Sequence, residues 1–282
     1  MNALVQRLNG LCDEQPFQTG WYLKDARTGA EADRAGDQIG PSASTRKIAI
    51  LMAALAEVNA GRLSLDQPVE IQARYQDNNS GVFQHLMAGT MLPLRDALAM
   101  MIIVSDNTCT GMIVDMLGLE TINAFSTSAG MTGTTHRENI PSSSLAWDHP
   151  VEATNATTPN DVGRLLDQIL RGSRDEAVAA RLGCTAELCR YAIEIMTWQQ
   201  ITNRLPLLMP PPPTATIAHK TGRGVRNHSD AGIIFRGDEP LYILTAYTDR
   251  IPIELPDGRA GRGAAHLLIA QLCRTCWDHF NA

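Results

Sequence analysis

The sequence predicts an α/β fold, a sandwich in which the two ends of the chain share one antiparallel sheet and the middle of the chain is helical. Two observations support this prediction. Strand patterns bounded by turn residues occur near the N-terminus and again after position 213. Between them, helical periodicity recurs from position 44 onward, and one last amphipathic helical pattern covers 262–281.

The composition is that of a globular protein with an aliphatic core. Of the 282 residues, 44% are hydrophobic and only 5% are aromatic, so Leu, Ile, Val, Ala and Met must fill the interior. We expect 1–282 to form one domain, with a sheet subdomain at about 1–43 and 214–282 and a helical subdomain at about 44–213. The net charge of −6 and the lack of a basic run exclude nucleic acid and anionic membranes as expected partners.

The N-terminal residues contain no continuous apolar segment of the kind that directs secretion. The longest apolar run, 97–104, is too short to span a bilayer. We therefore expect a cytoplasmic protein, with a periplasmic or secreted protein as the alternative if the chain is a trimmed mature form. Six cysteines in a chain of this length do not form a disulfide scaffold, and buried free thiols are expected.

The first predicted elements are a hairpin and two helices. Strand-like residues on both sides of Gly29 predict a β-hairpin over 20–36. From Ser44, apolar residues recur at helical spacing, and Gly61 is the residue type that commonly follows a helix end, which predicts a helix between them. The segment 92–104 is almost entirely apolar and predicts a helix at the centre of the core.

The second half of the chain is predicted to contain a long loop, helices and strands. Further helices are expected after position 107, to Gly118, and over 120–130. The segment 131–157 shows no periodicity and is rich in turn residues, which predicts a long, functional loop. Thr158 and Pro159 are typical of a helix start. Strand patterns follow at 216–220, 231–236 and 241–247.

Three short motifs carry the candidate chemistry, and they occur in a fixed order along the chain. They are Ser44-Thr45-Arg46-Lys47, Ser105-Asp106-Asn107 and Lys220-Thr221-Gly222. A single S-x-x-K sequence occurs by chance in about one protein of this size, so it carries little information by itself. The three motifs together, in this order, are far more specific.

The residue types in the motifs suit acyl transfer through a serine nucleophile. On a helix, Ser44 and Lys47 lie on one face, so a neutral Lys47 can take the proton of the Ser44 hydroxyl. This requires that burial or neighbouring cations lower the pKa of Lys47. Ser105 can pass a proton to the leaving group, with Lys220 keeping the local field positive. Asn107 can bind a substrate amide.

The third motif and the residues after it are the expected substrate-binding groups. Thr221 and Gly222 offer backbone groups to an extended substrate, and the backbone N–H groups of Ser44 and Arg223 would form an oxyanion hole. Arg223 is also a candidate for binding an anionic substrate group.

Arg226 and His228 follow the third motif at a turn. Arg226 is a second candidate for an anionic substrate group, and His228 is a candidate for binding a carboxylate or steering water. The alternative is that both are ordinary turn residues. We expect no cofactor and no metal, because the Cys-x-x-Cys sequence at 273–276 fits one face of the terminal helix and no second ligand pair accompanies it.

The three motifs together resemble those of the serine β-lactamase and penicillin-binding protein superfamily. Within this superfamily, they resemble the class A β-lactamase-like branch. VSDNT, NATTP, HKTG and the strands containing DAGIIF and LYILTAYT also fit, so the resemblance covers nearly the whole chain. It implies a five-stranded antiparallel sheet flanked by helices, plus an all-helical subdomain. It further implies Ser44 as the nucleophile, Lys47 as the general base, Ser105 as the proton relay, Asn107 as the amide binder, and the K-T-G role for Lys220, Thr221 and Gly222.

The long loop departs from the family pattern. Class A β-lactamases carry E-x-x-L-N there, and its glutamate activates the water that hydrolyses the acyl-enzyme. In this sequence the glutamate position falls near Pro141 or Ser142, and the acids Glu138 and Glu152 are out of register. Asn155 stands where the family usually has the aspartate that holds the loop. The sequence therefore does not predict efficient β-lactam turnover.

We expect a serine acyl-hydrolase that cleaves a β-lactam or a related small amide or ester through an acyl-enzyme on Ser44. Lys47 could serve as the base in both half-reactions. One alternative is an atypical class A β-lactamase that uses Glu138 or Glu152. Another is a penicillin-binding or sensor module that stays acylated. A catalytically inactive scaffold is disfavoured by the intact motifs.

Overall fold

A five-stranded antiparallel sheet built from both chain ends forms the centre of the molecule, which confirms the predicted fold class. It is seen in a computed structural model that describes 1–140, 142 and 144–281. The strands are β1 (Gln18–Asp25), β2 (Glu31–Arg34), β3 (Ala215–Arg223), β4 (His228–Arg236) and β5 (Glu239–Asp249). Their spatial order is β2-β1-β5-β4-β3, which places β3 and the Lys220 motif at an edge of the sheet.

The α-helices cover both faces of this sheet. In the described part of the chain they are α1 (Asn2–Asp13), α2 (Lys47–Asn59), α3 (Leu94–Ile103), α4 (Asn107–Leu117), α5 (Leu119–Ser128), α6 (Pro159–Gly172), α7 (Glu176–Arg181), α8 (Ala186–Thr197) and α9 (Gly261–Phe280). Thr158 caps α6 as predicted, because its side chain accepts from the Asp161 amide at 3.0 Å. Helices α1, α7 and α8 are absent from the sequence predictions.

The sheet separates two hydrophobic cores. On one face, Leu4 and Leu8 of α1 and Leu268 of α9 pack against sheet residues such as Trp21. The other face packs against a layer that contains α2 to α6 and α8. Helix α2 is the enclosed helix of this layer, with every residue of 47–55 buried, so the expectation that α3 is the central helix is wrong. Enclosure of α2 explains why the lysine at its start is shielded from water.

Short elements anchor the loops around the sheet. Gly40–Pro41 pairs with Ala156–Thr157, which joins the chain just before Ser44 to the end of the long loop. A second small sheet pairs Pro68–Glu70 with Met91–Pro93. Single 3₁₀ turns lie at Ala43–Arg46, Ala73–Tyr75, Phe83–His85 and Val151–Ala153. The predicted glutamate position near Pro141 lies partly outside the described residues.

Three further features of the described residues concern membranes, metals and thiols. None of their helices combines the length and the apolar character needed to cross a bilayer. In the same residues no group of three or more His, Cys, Asp or Glu side chains is arranged to hold a metal ion. All six cysteines are buried as free thiols.

Candidate active site

Ser44 lies in the 3₁₀ turn Ala43–Arg46, which leads directly into α2. The turn begins with Ala43 at a φ of 44°, in the left-handed region that residues with side chains rarely adopt. The Ser42 carbonyl closes the turn by accepting from the Thr45 amide at 3.2 Å and from Thr45 Oγ1 at 2.6 Å. This backbone holds Ser44 half-buried beside an open cleft.

Lys47 is buried at the start of α2, and its amine makes three short contacts. Lys47 Nζ lies 2.8 Å from the Ser105 carbonyl oxygen, 3.1 Å from Ser105 Oγ and 2.8 Å from Asn107 Oδ1. Burial, with the nearby cations Lys220 and Arg46, lowers the pKa of Lys47 well below its ordinary value. A neutral amine has two N–H donors, which suit the two carbonyl oxygens, and one lone pair, which suits the Ser105 hydroxyl.

The second motif forms a strained junction between α3 and α4. Ser105 has a φ of 56°, so its backbone lies in the left-handed region. The Asp106 carboxylate caps α4 by accepting from the Cys109 amide at 2.9 Å. The same carboxylate accepts from the amides of Val82 and Phe83 at 2.7 and 2.8 Å. Asp106 therefore fixes the position of Ser105 from both the helix and the neighbouring loop.

Lys220 is fully buried on β3, where its Nζ donates to the Thr221 carbonyl at 2.9 Å. Burial lowers the pKa of Lys220 to about 7, and the Arg204 cation contributes in the same direction against the opposing charge of Asp230. The amine is therefore poised between its charged and neutral forms near neutral pH.

Gly222 permits the close approach of β3 to the turn that carries Ser44. A Cβ atom at this position would lie 2.4 Å from Ser229 Oγ and 3.2 Å from Thr45 Cγ2. Thr45 is held from β5 as well, because Tyr247 donates its hydroxyl to Thr45 Oγ1 at 2.9 Å. The glycine of the third motif thus serves packing between the edge strand and the nucleophile turn.

Ser44 borders two adjoining pockets that together form the cleft. The first, with a volume of about 870 Å³, is lined by side chains that include Arg46, Lys47, Asn107, Ser142, Leu145, His149 and Arg223. The second, of about 750 Å³, is lined by side chains that include Ser105, Asn107, Arg204, Thr221, Arg223 and Arg262. Within the described chain, no Asp or Glu lines either pocket. The cleft is therefore cationic.

The arrangement of these motifs around the cleft agrees with what comparison with known proteins shows. The model of the beta-lactamase enzyme family matches residues 3–280. The chain belongs to the beta-lactamase enzyme family. Its fold is that of the serine β-lactamase superfamily, which confirms the resemblance seen in the sequence.

Solved structures of similar fold cover nearly the whole of this family member. The beta-lactamase from Sphaerobacter thermophilus DSM 20745 is 23% identical, with a TM-score of 0.84 over 99% of this chain and 97% of that chain. PBP-A is 25% identical, with a TM-score of 0.84 over 100% and 97%. A leucine-to-glutamate mutant of PBP-A, in an acyl-enzyme complex with penicillin G, is 26% identical, with a TM-score of 0.83 over 100% and 97%.

The structure of this beta-lactamase family member brings most of the predicted site residues together. Those that line the cleft are Ser44, Lys47, Ser105, Asn107, Thr221 and Arg223. Lys220 and Gly222 lie on the same strand as Thr221, directly beside them. The four remaining candidates, Arg226, His228, Glu138 and Glu152, line neither pocket that contains Ser44.

Arg226 is buried and binds protein groups. Its guanidinium pairs with Asp249 through contacts of 2.9 and 3.2 Å. It also donates to the carbonyl oxygens of Trp147 at 3.2 Å and of His149 at 2.7 Å. These contacts connect the long loop to the end of β5, so in this arrangement Arg226 positions the loop.

His228 is buried in a cluster behind the cleft. Its Nδ1 lies 3.2 Å from Arg204 Nη2 and 3.2 Å from His266 Nε2. Because an arginine can only donate, Nδ1 of His228 is an acceptor and carries no proton. Burial lowers the pKa of His228 to about 3 and that of His266 to about 4, so both rings are neutral. His228 therefore supports Arg204 at the wall of the second pocket.

Neither Glu138 nor Glu152 lines the cleft. The backbone of Glu138 is held on two sides, since its amide donates to Asn155 Oδ1 at 3.1 Å and its carbonyl accepts from Arg46 Nη1 at 3.0 Å. Glu152 is exposed in the 3₁₀ turn of the loop. Asn155 also accepts from the Arg137 amide at 2.7 Å, so it holds the loop backbone through its amide oxygen.

Several residues of the site are missing from the sequence predictions. Arg46, the third residue of the first motif, is buried in the cleft and donates to the carbonyls of Glu138 and Asn139. Asp106 could be recognised from its position as a helix N-cap. No local signal marks Arg204 or His149, because both reach the cleft through contacts between distant parts of the chain.

Proposed function

We propose that this protein is a serine acyl-hydrolase that forms an acyl-enzyme on Ser44 with a β-lactam or a related small amide or ester, and hydrolyses it slowly. The observation that carries the proposal is the buried amine of Lys47, three residues after Ser44 on the same helical turn. Its lowered pKa and its contact with Ser105 supply a neutral base and a proton relay.

Acylation follows from these positions. Ser44 Oγ attacks the carbonyl carbon of the substrate while its proton passes to Lys47. The proton then moves through Ser105 Oγ to the leaving nitrogen or oxygen as the bond to that atom breaks. Backbone N–H groups of Ser44 and Arg223 would bind the oxyanion, which is where charge develops. Asn107 lines the cleft, and because its Oδ1 accepts from Lys47 Nζ, its Nδ2 group would bind the carbonyl oxygen of a substrate amide.

The charge of the second pocket supports a substrate with an anionic group. Arg204, Arg223 and Arg262 line this pocket, and Thr221 adds a side chain from the edge strand. Opposite charge in a site shielded from water favours binding more strongly than it does at an exposed surface. Penicillins and cephalosporins carry a carboxylate next to the reactive amide, so they are suitable probes.

Slow deacylation is proposed because none of the residues that the structure describes brings a carboxylate to the lining of the cleft. A penicillin G acyl-enzyme is described for the leucine-to-glutamate mutant of PBP-A, which supports penicillin G as an acylating probe for a protein of this fold. A penicillin-binding module that stays acylated is the second candidate, and the same observation favours it. The rate at which the adduct is lost separates the two.

Intact-protein mass spectrometry tests the proposal directly. The wild type is mixed in turn with penicillin G, a cephalosporin and an activated ester, and peptide mapping locates any adduct. We expect one acyl group per chain on Ser44, lost over minutes to hours, and no adduct on Ser44→Ala. An adduct on another residue, or none with any of the three compounds, would overturn the proposal. An adduct that never decays would establish the penicillin-binding module instead.

A further inference from the structure

We propose that His149 is the base that activates water for deacylation, because no Asp or Glu of the described chain lines the pocket that His149 shares with Ser44. This inference rests on the proposed acyl-enzyme on Ser44. His149 lies in the long loop and lines the same pocket as Ser44 and Lys47. Sequence reasoning did not single it out.

The lining of the pocket leaves few groups that can accept a proton from water. In the described residues, no carboxylate lines it, and arginines remain protonated in proteins. Lys47 and His149 are therefore the two bases available. Lys47 is the proposed base of acylation, and its Nζ contacts the carbonyl oxygen and the hydroxyl of Ser105 and Oδ1 of Asn107. His149 takes no part in that step, and decay of the acyl-enzyme in His149→Ala separates the two bases.

The histidine ring is held in a defined tautomer. His149 Nδ1 lies 2.9 Å from the carbonyl oxygen of Pro150, and a carbonyl can only accept, so Nδ1 carries the proton. In the neutral ring, Nε2 is then the nitrogen that carries the lone pair. His149 is largely buried, at 7% exposure for the residue, and it lines the pocket of Ser44. Nε2 is therefore the ring nitrogen that would meet water in that pocket.

The backbone around His149 is fixed by charged and polar contacts. Its carbonyl accepts from Arg226 Nη1 at 2.7 Å, and Arg226 is itself paired with Asp249. Trp147 Nε1 donates to the Ile251 carbonyl at 2.9 Å, which ties the same stretch of loop to the chain after β5. A base must be held near its target to be effective, and these contacts supply that rigidity.

Hydrolysis of the acyl-enzyme needs no reactant other than water. Water oxygen attacks the acyl carbonyl carbon while one water proton passes to His149 Nε2. The ester bond to Ser44 Oγ then breaks, and the proton passes from His149 to Ser44 Oγ. The products are the free carboxylic acid and the neutral starting forms of both residues.

Decay of a pre-formed acyl-enzyme tests this role. The wild type and His149→Ala are first acylated with penicillin G, and the adduct is counted by mass spectrometry. Equal amounts of adduct in both proteins show that acylation of Ser44 is intact. If neither protein forms an adduct, the proposed acyl-hydrolase function is refuted, and not the role of His149. After removal of free penicillin, we expect the His149→Ala adduct to decay at least tenfold more slowly.

Chemical rescue separates catalysis from loop structure. Added imidazole is expected to restore the decay of the His149→Ala adduct in proportion to its concentration, because it supplies the missing base. His279→Gln, a substitution of an exposed histidine in the last turn of α9 that lines neither pocket of the cleft, should decay like the wild type with or without imidazole. Decay of His149→Ala at the wild-type rate, or slow decay that imidazole leaves unchanged, would overturn the proposal.

Discussion

The amine of Lys47 lies 3.1 Å from the hydroxyl oxygen of Ser105, on a helix and a loop that are 58 residues apart in the chain. The contact joins the first two motifs into one hydrogen-bonded unit. The unit links the proposed base for Ser44 to the hydroxyl that would pass the proton to the leaving group.

The first prediction concerns the pH dependence of acylation. Only neutral Lys47 accepts the Ser44 proton, so the acylation rate rises with pH through the pKa of Lys47. The Arg46 cation helps to keep that pKa low, so Arg46→Met should raise it and move the rate profile to higher pH. Stopped-flow acylation with a chromogenic cephalosporin measures the profile. Lys47→Met, as the control, should lose about 10²–10⁴-fold in rate at every pH. An Arg46→Met profile that coincides with that of the wild type would contradict the account.

The second prediction is that Lys220→Met abolishes acylation but stabilises the fold. A buried lysine with a folded-state pKa of about 7, against an ordinary value of 10.5, costs stability because the unfolded chain binds the proton more tightly. The cost is greatest below about pH 7 and disappears as pH rises toward 10.5. Replacement by a hydrophobic side chain of similar size should therefore gain about 1–3 kcal/mol at pH 6 and less at pH 10. Denaturant unfolding at the two pH values measures the difference; a loss of stability at pH 6 would show that the charge is well solvated in the folded state.

The third prediction is that a carboxylate placed on the loop speeds deacylation. Ser142 lines the pocket of Ser44, so Ser142→Glu brings a general base to the cleft. Adduct decay should become about 10–10³-fold faster, with acylation little changed. Ser144→Glu adds the same charge two residues along, outside the pocket lining, and serves as the matched control. Equal acceleration by both variants would point to a general effect of charge on the loop.

The fourth prediction concerns the anchor of the long loop. Arg226→Met removes the ion pair with Asp249 and the two hydrogen bonds to loop carbonyls, which should cost about 2–3 kcal/mol. Hydrogen exchange should rise in the segment 144–153, and adduct decay should slow while acylation is retained. Arg236→Met, at an exposed ion pair on β4, is the control and should change neither. If hydrogen exchange in the long loop of Arg226→Met is unaltered, contacts other than those of Arg226 hold the loop in place.

The sequence predicts the sheet, most helices and the catalytic motifs because these depend on short spacings. Helix α1 could also have been predicted from the sequence, since its buried Leu4, Leu8 and Cys12 recur at four-residue intervals. The surroundings of the candidate active site could not be predicted, because they depend on contacts between distant segments of the chain. Arg226 looks like a turn residue until the structure shows Asp249 and the loop carbonyls on either side of it.

The most direct test of the central claim is the time course of chromogenic cephalosporin hydrolysis after rapid mixing with a slight excess of substrate. The account predicts a burst of about one equivalent of product per chain, followed by a much slower steady rate, and neither phase in Ser44→Ala. The burst reports acylation of Ser44, and the slow phase reports deacylation without a loop carboxylate. A linear time course with no burst, or a burst that persists in Ser44→Ala, would contradict it.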